Sequence, residues 1–144
     1  MSDDGPHHPQ TGHARRIARL SELSRRVMNA AEQTAVALDH PVVGIGHLLL
    51  VLAWETRSPT AHLLSEQGLD AARLHQSLLN GDANLMASID QLLPRLAELV
   101  GQTGSHYTGT EHLLLALTAD PNGRAMLEAY GVSADLLARR LVAR

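Results

Sequence analysis

An all-α bundle of eight helices, built from two tandem, pseudo-symmetric four-helix repeats, is the fold this sequence predicts. Three observations lead there. Gly109-Thr110-Glu111-His112-Leu113-Leu114-Leu115 has a worn copy 65 positions earlier, Gly44-Ile45-Gly46-His47-Leu48-Leu49-Leu50, which keeps the first glycine, the histidine and the three leucines. Flanking positions repeat as well. Leu20, Val27 and Ala31 stand 65 positions before Leu85, Leu92 and Leu96, and Gly68 is echoed by Gly131. Self-similarity at a fixed spacing marks one supersecondary unit used twice. Finally, apolar residues recur at spacings of three and four, and no alternating strand pattern occurs.

The first helix is predicted from about Leu20 to Leu38, with Leu23, Val27, Ala30, Ala31, Thr34 and Leu38 on one face. His40-Pro41 ends it, because a residue before proline avoids helical angles. The second begins after Gly44, and Leu48 to Trp54 are seven apolar residues in a row, so a central helix with no wet face is expected. Ser58-Pro59 opens a short third helix, closed by Gly68. Asp70 caps the fourth, with Ala71, Leu74, Leu78 and Leu79 inward, to about Asn80-Gly81.

The second repeat runs in the same order. Its first helix is expected over about Leu85 to Gly101, where Pro94 demands either a kink or a start near Leu92. Thr110 is read as the cap of the next helix, Leu113 to Leu117 as its buried centre, Asp120-Pro121-Asn122-Gly123 as the turn, and Ser133 as the opening of the last helix. Residues 1–19 carry two glycines, two prolines and three histidines and offer little to bury, so a flexible tail is expected. Its last part, His13 to Arg19, could extend the first helix by a turn. The repeat domain is then 20–144, with repeat one about 20–81 and repeat two about 85–143.

A chain of 144 residues suffices for one domain. With no Phe, one Trp and two Tyr, its core is aliphatic. The absence of cysteine removes disulfides and thiolate metal sites and fits a cytoplasmic location. A net charge of −3 gives no global attraction to nucleic acid or anionic lipid. No apolar run approaches a membrane span, and the N-terminus lacks the order of a signal peptide.

At the doubled motif the chain resembles the N-terminal Clp repeat domain of the Clp family of AAA+ protein unfoldases, the ClpC branch in particular. His40 to Leu49 matches the family's motif in the first repeat and Tyr107 to Leu114 in the second, and Leu20 and Leu85 stand where the family opens each repeat with Phe. The resemblance covers about Leu20 to Val142. It implies an all-α fold and binding of substrate or adaptor proteins. No GxxxxGK[ST] phosphate loop is present, so the chain reads either as a free-standing Clp repeat protein, the favoured expectation, or as the excised front end of an unfoldase.

Glu111 is the sharpest candidate. It stands beside a helix N-terminus, where N–H groups and the macrodipole favour an anion. The resemblance implies that Thr110 and Glu111 help receive phosphorylated arginine, with Gly109 opening the helix. The competing reading is that Glu111 only complements the helix dipole, worth roughly 0.3–1 kcal/mol. Repeat one offers Gly44, Ile45 and Gly46 at the matching positions, so its site should be weak or dead for that ligand. Leu20 and Leu85 are expected to be exposed in a groove between the repeats, where the resemblance implies binding of cyclic peptide antibiotics. His47 and His112 lack a second ligand at helical spacing, so neither metal nor cofactor is expected.

No catalytic motif or paired-carboxylate cluster appears, and adjacent Glu111 and His112 point in different directions on a helix, so the chain is read as no enzyme. The leading function is a binding module of the bacterial Clp proteolysis and chaperone system, recruiting or sequestering substrates, adaptors or Clp-targeting small molecules, with a Clp ATPase as a further partner. The alternative is a DNA-associated or stress-response regulator using Arg15, Arg16, Arg19, Arg25 and Arg26. Acidic net charge and the lack of a basic recognition helix argue against that one.

Overall fold

The computed structural model describes Ile17 and residues 19–143. Eight α-helices occur among them: α1 Glu22–Ala37, α2 Ile45–Trp54, α3 Pro59–Glu66, α4 Ala71–Leu79, α5 Leu93–Thr103, α6 Thr110–Ala119, α7 Pro121–Ala129 and α8 Ala134–Val142. Two 3-10 turns, Ala83–Leu85 and Ile89–Leu92, lie between α4 and α5. The described residues contain no named strand, only two isolated bridges, Leu20 with Thr108 in parallel and Gly44 with Ser88 in antiparallel sense.

Helix starts follow side-chain chemistry. Ser21, Ser58, Asp70, Asp120 and Ser133 each accept a backbone N–H from the first turn of α1, α3, α4, α7 and α8. Pro59 and Pro121 fall in the first turn, where a missing N–H costs nothing. Gly68 and Gly131 follow α3 and α7 with φ of +89° and +95°, the left-handed conformation that glycine adopts without strain. The two turns meet, and Asp70 N–H donates to the Tyr130 carbonyl at 3.0 Å.

The centre is formed by α2 and α6, which touch each other between the repeats. Leu48, Leu49, Leu50 and Leu52 are buried from one repeat, and Leu113, Leu114, Ala116 and Leu117 from the other. These side chains, which make up most of the two aliphatic runs that break amphipathic periodicity, have almost no access to water.

Several local expectations are corrected. Trp54 is 52% exposed and lies edge-on to His75, because α2 ends there and its last turn leaves the core. Leu79 is exposed in the last turn of α4. Leu115 is half-buried between its buried neighbours and lines a surface pocket. The first helix of repeat two does not span Leu85 to Gly101. Its early part is two 3-10 turns, and α5 starts at Leu93, so that Pro94 occupies the first turn and makes no kink. No extra turn precedes α1, since Arg19 has φ +56° and Leu20 pairs with Thr108. The remainder of the expected tail, residues 1–16 and 18, lies outside the described residues. Ile17 is buried in the core cluster.

The repeats close on one another. Thr108 N–H donates to the Arg19 carbonyl at 2.8 Å and Ser21 N–H to the Thr108 carbonyl at 3.0 Å, so the start of repeat one is held by repeat two. Reciprocally, Ile45 N–H donates to the Ala87 carbonyl at 2.9 Å and Ile89 N–H to the Val43 carbonyl at 3.1 Å.

Candidate functional site

The doubled motif places a glycine at the N-cap of α2 and of α6, with a histidine in the third helical position of each. In both repeats the histidine Nδ1 accepts the N-cap N–H at 2.9 Å, Gly44 to His47 and Gly109 to His112. Each ring therefore satisfies a backbone donor at the helix start that would otherwise lack an acceptor. Burial pushes His112 below its usual pKa, and the Glu111 charge partly offsets that. His112 Nε2 lies 3.0 Å from the Thr103 hydroxyl.

Thr110 is the first residue of α6; the capping position belongs to Gly109. Its hydroxyl is buried and points toward the other repeat, 2.9 Å from Ser58 Oγ, which lies 2.7 Å from Thr60 Oγ1. Thr60 in turn donates to the Leu52 carbonyl. The expected ligand hydroxyl is thus part of a buried chain of hydroxyls that bridges the repeats. The Thr110 backbone N–H meets no acceptor among the described residues.

Glu111, by contrast, borders a surface pocket of about 450 Å³, together with Thr103, Ser105, His112, Leu115, Leu141 and Val142. Its lining combines a carboxylate, two hydroxyls and an imidazole with three aliphatic side chains. Of these residues the sequence reading placed only Glu111 in a binding site. Thr103 and Ser105 come from the α5–α6 connection and Leu141 and Val142 from the end of α8, and only tertiary packing brings them to Glu111. A second, more apolar groove of about 590 Å³ adjoins it through Ser105 and runs between Ile17 and Leu93, Leu96 and Val100 of α5.

The matching position in repeat one is filled. A Cβ on Gly44 would lie 2.4 Å from the Leu85 carbonyl oxygen and 2.9 Å from Met86 Cα, and one on Gly46 would lie 2.6 Å from Leu85 Cβ. These glycines do not open a helix end to ligand; they let the Leu85–Ala87 backbone cross it. Leu20 and Leu85, expected at the surface, are 5% and 1% exposed. Both lie against the segments that join the two repeats, so they do not build the expected exposed groove.

Among the described residues no three His, Cys, Asp or Glu side chains gather in a metal-binding cluster, and no helix is long and apolar enough to cross a membrane.

Comparison with known proteins agrees with the doubled motif. Residues 19–103 match the family model of the Clp repeat (R) N-terminal domain. The chain is 29% identical over 128 residues to the negative regulator of genetic competence ClpC/MecB of Bacillus subtilis, covering 81% of this chain and 16% of that protein. It is 29% identical over 136 residues to the chaperone protein ClpB of Pseudomonas putida, covering 85% and 16%, and 30% identical over 125 residues to the chloroplastic chaperone protein ClpC2 of Oryza sativa, covering 78% and 14%. The chain thus spans about one sixth of the length of these relatives. With two four-helix repeats, a glycine-histidine helix start in each and a family match over more than half its length, this chain belongs to the Clp repeat N-terminal domain family.

Proposed function

We propose that the chain is a non-enzymatic peptide-binding module of Clp-type protein-unfolding machinery, and that its ligands dock at the start of α6. The observation that carries this reading is the contrast between the two helix starts. Repeat one is covered by Leu85–Ala87, whereas in repeat two Glu111 and His112, in the first turn of α6, line a surface pocket together with Leu115, Leu141 and Val142. A ligand joining a cation, an anion and a short apolar segment fits such a surface, and an arginine-phosphorylated stretch of a substrate or adaptor protein is the proposed case. Its phosphate would rest on the N–H groups at the positive end of α6. Its guanidinium N–H groups would donate to the Glu111 carboxylate, in charge-assisted hydrogen bonds that are the stronger kind. Because the Thr110 hydroxyl is engaged with Ser58, the contribution of Thr110 is its backbone.

As a part of, or accessory to, a Clp ATPase, such a module recruits marked proteins; alone, it withholds them. Calorimetric titration with phosphoarginine tests the reading. One saturable site is expected, weakened at least tenfold in Glu111→Gln, since each lost charge-assisted bond is worth about 1.5–3 kcal/mol before screening. Folded protein with no saturable binding would leave Glu111 as a carboxylate that only complements the helix dipole.

A further inference from the structure

His40 and His47 meet across the turn between α1 and α2, with His40 Nδ1 2.8 Å from His47 Nε2. One fixed donor settles their protonation. Gly44 N–H donates to His47 Nδ1, so that nitrogen carries its lone pair. A neutral imidazole then has its single proton on Nε2, which must donate to His40 Nδ1. His40 Nδ1 is therefore an acceptor as well. A proton added there would set two N–H groups head-on, and a proton added to His47 Nδ1 would expel the Gly44 N–H. The contact exists only while both rings are neutral.

The turn that this pair fixes is half of the inter-repeat clasp. Val43 and Ile45, on either side of Gly44, hold Ile89 and Ala87 through backbone bonds of 3.1 and 2.9 Å. Leu85 packs over Gly46 beneath them. Repeat two lacks the second ring. Ser105 stands 65 positions after His40, and His112 Nε2 faces the Thr103 hydroxyl, which accepts from a neutral or a charged imidazole.

We propose that the His40–His47 pair is an acid-operated latch, in which a single proton frees the 40–44 turn and releases the Leu85–Ile89 segment from α2, uncovering the apolar seam between the repeats.

The surroundings give an incoming proton little to pair with. α1, α3, α4, α6 and the Ala83–Leu85 turn pack on α2. Their titratable groups are Glu22, Arg25, Arg26 and Glu32 on α1, His62 and Glu66 on α3, Arg73 and His75 on α4, and Glu111 and His112 on α6, with Asp39, Asp82 and Asp90 in the adjoining turns. Among the described residues no salt bridge joins either ring to a carboxylate; Glu22 pairs with Arg26, Glu66 with His62 and Arg140, and Asp70 with Arg73. Burial, and secondly the neighbouring His40, push His47 down to about 4.

Amide hydrogen exchange at pH 7.5 and 5.5, corrected for intrinsic rates, tests the latch in the full chain. A released His47 titrates near its ordinary 6.5 and a latched one near 4, so opening at the Ile45 and Ile89 amides should rise at least tenfold across that interval. The Ser21 and Thr108 amides, which belong to the other half of the clasp, should change less than twofold. An equal rise at all four amides would mean global unfolding and overturn the proposal, as would no rise at Ile45 and Ile89. The double variant His40→Asn/His47→Gln keeps an acceptor and a cap but has no titrating ring, and its Ile45 and Ile89 exchange should be flat; a response like that of the natural chain overturns the latch. Imidazole ¹⁵N shifts of the natural chain give a readout free of mutation. A charged His40 beside a still-protected Ile45 amide also overturns it.

Discussion

Gly44 and Gly109 offer a comparison within one molecule. Both are N-caps, of α2 and α6, with nearly the same backbone angles, φ −100° and ψ 168° against φ −94° and ψ 173°. Replacing either by alanine costs the same intrinsic preference, roughly 0.5–1 kcal/mol at a cap. Their surroundings differ. At Gly109 the added methyl meets nothing closer than 3.7 Å, an ordinary contact with Glu111 Oε1 and His112 Nδ1. At Gly44 it would lie 2.4 Å from the Leu85 carbonyl oxygen and 2.9 Å from Met86 Cα, both of which are backbone. That segment yields only by lengthening the Ile45–Ala87 and Ile89–Val43 hydrogen bonds. Overpacking of this kind costs about 1–3 kcal/mol beyond the shared term. Urea titration at pH 7.5 should therefore place Gly44→Ala about 1–3 kcal/mol below Gly109→Ala, with equal slopes. Two variants within 0.5 kcal/mol of each other would refute the crossing of α2 by the Leu85–Ala87 chain.

Further expectations follow from burial and charge. Leu117→Ala, at a fully buried site, should lose about 2–5 kcal/mol in urea, whereas Leu115→Ala should lose less and instead weaken phosphoarginine binding, measured by calorimetry. Stability should fall with acid through His47. The unfolded chain takes up its proton near 6.5 and the folded chain only near 4, so this contribution is complete above pH 6.5, is lost as the pH falls toward 4, and amounts to about 3 kcal/mol at most. Urea midpoints from pH 7.5 to 4.5 check it, and His47→Gln should flatten the slope. Thr110→Val should cost about 1 kcal/mol, because Ser58 keeps its bond to Thr60, and should leave phosphoarginine affinity within twofold, since the threonine hydroxyl faces the repeat interface.

The bundle was readable from the sequence because repetition and periodicity report the same thing. A glycine–histidine pair before an aliphatic run marks a helix start twice, and Ser21, Ser58, Asp70 and Ser133 announce their helices through short side chains. Pro94 likewise marked a boundary. What the sequence concealed is the path of the chain between helices. Gly44 and Gly46 read equally well as an open helix end and as room for a crossing backbone, and only the position of Leu85 decides. Leu20 and Leu85 were expected at the surface from the resemblance alone, but Leu20 lies in the bridge to Thr108 and Leu85 packs against Gly46, and both are buried. Glu111 was visible as a carboxylate at a helix start, whereas its aliphatic partners Leu141 and Val142 arrive from the far end of the chain.

The exchange of edges between Leu20 and Thr108 bears on how the chain is made. During synthesis, residues 20–81 are made before Ser88 and Thr108, the pairing partners of Gly44 and Leu20, so the first repeat does not complete this pairing by itself. Leu48 to Leu52 lie on α2, which packs on α1, α3 and α4 of its own repeat and gains its last neighbour, α6, only from the second. Such distant pairings raise contact order and slow folding compared with a bundle closed by neighbouring helices. A product that stops before Thr108 therefore lacks the acceptor for the Ser21 N–H and the donor to the Arg19 carbonyl, and leaves the start of the first repeat unpaired.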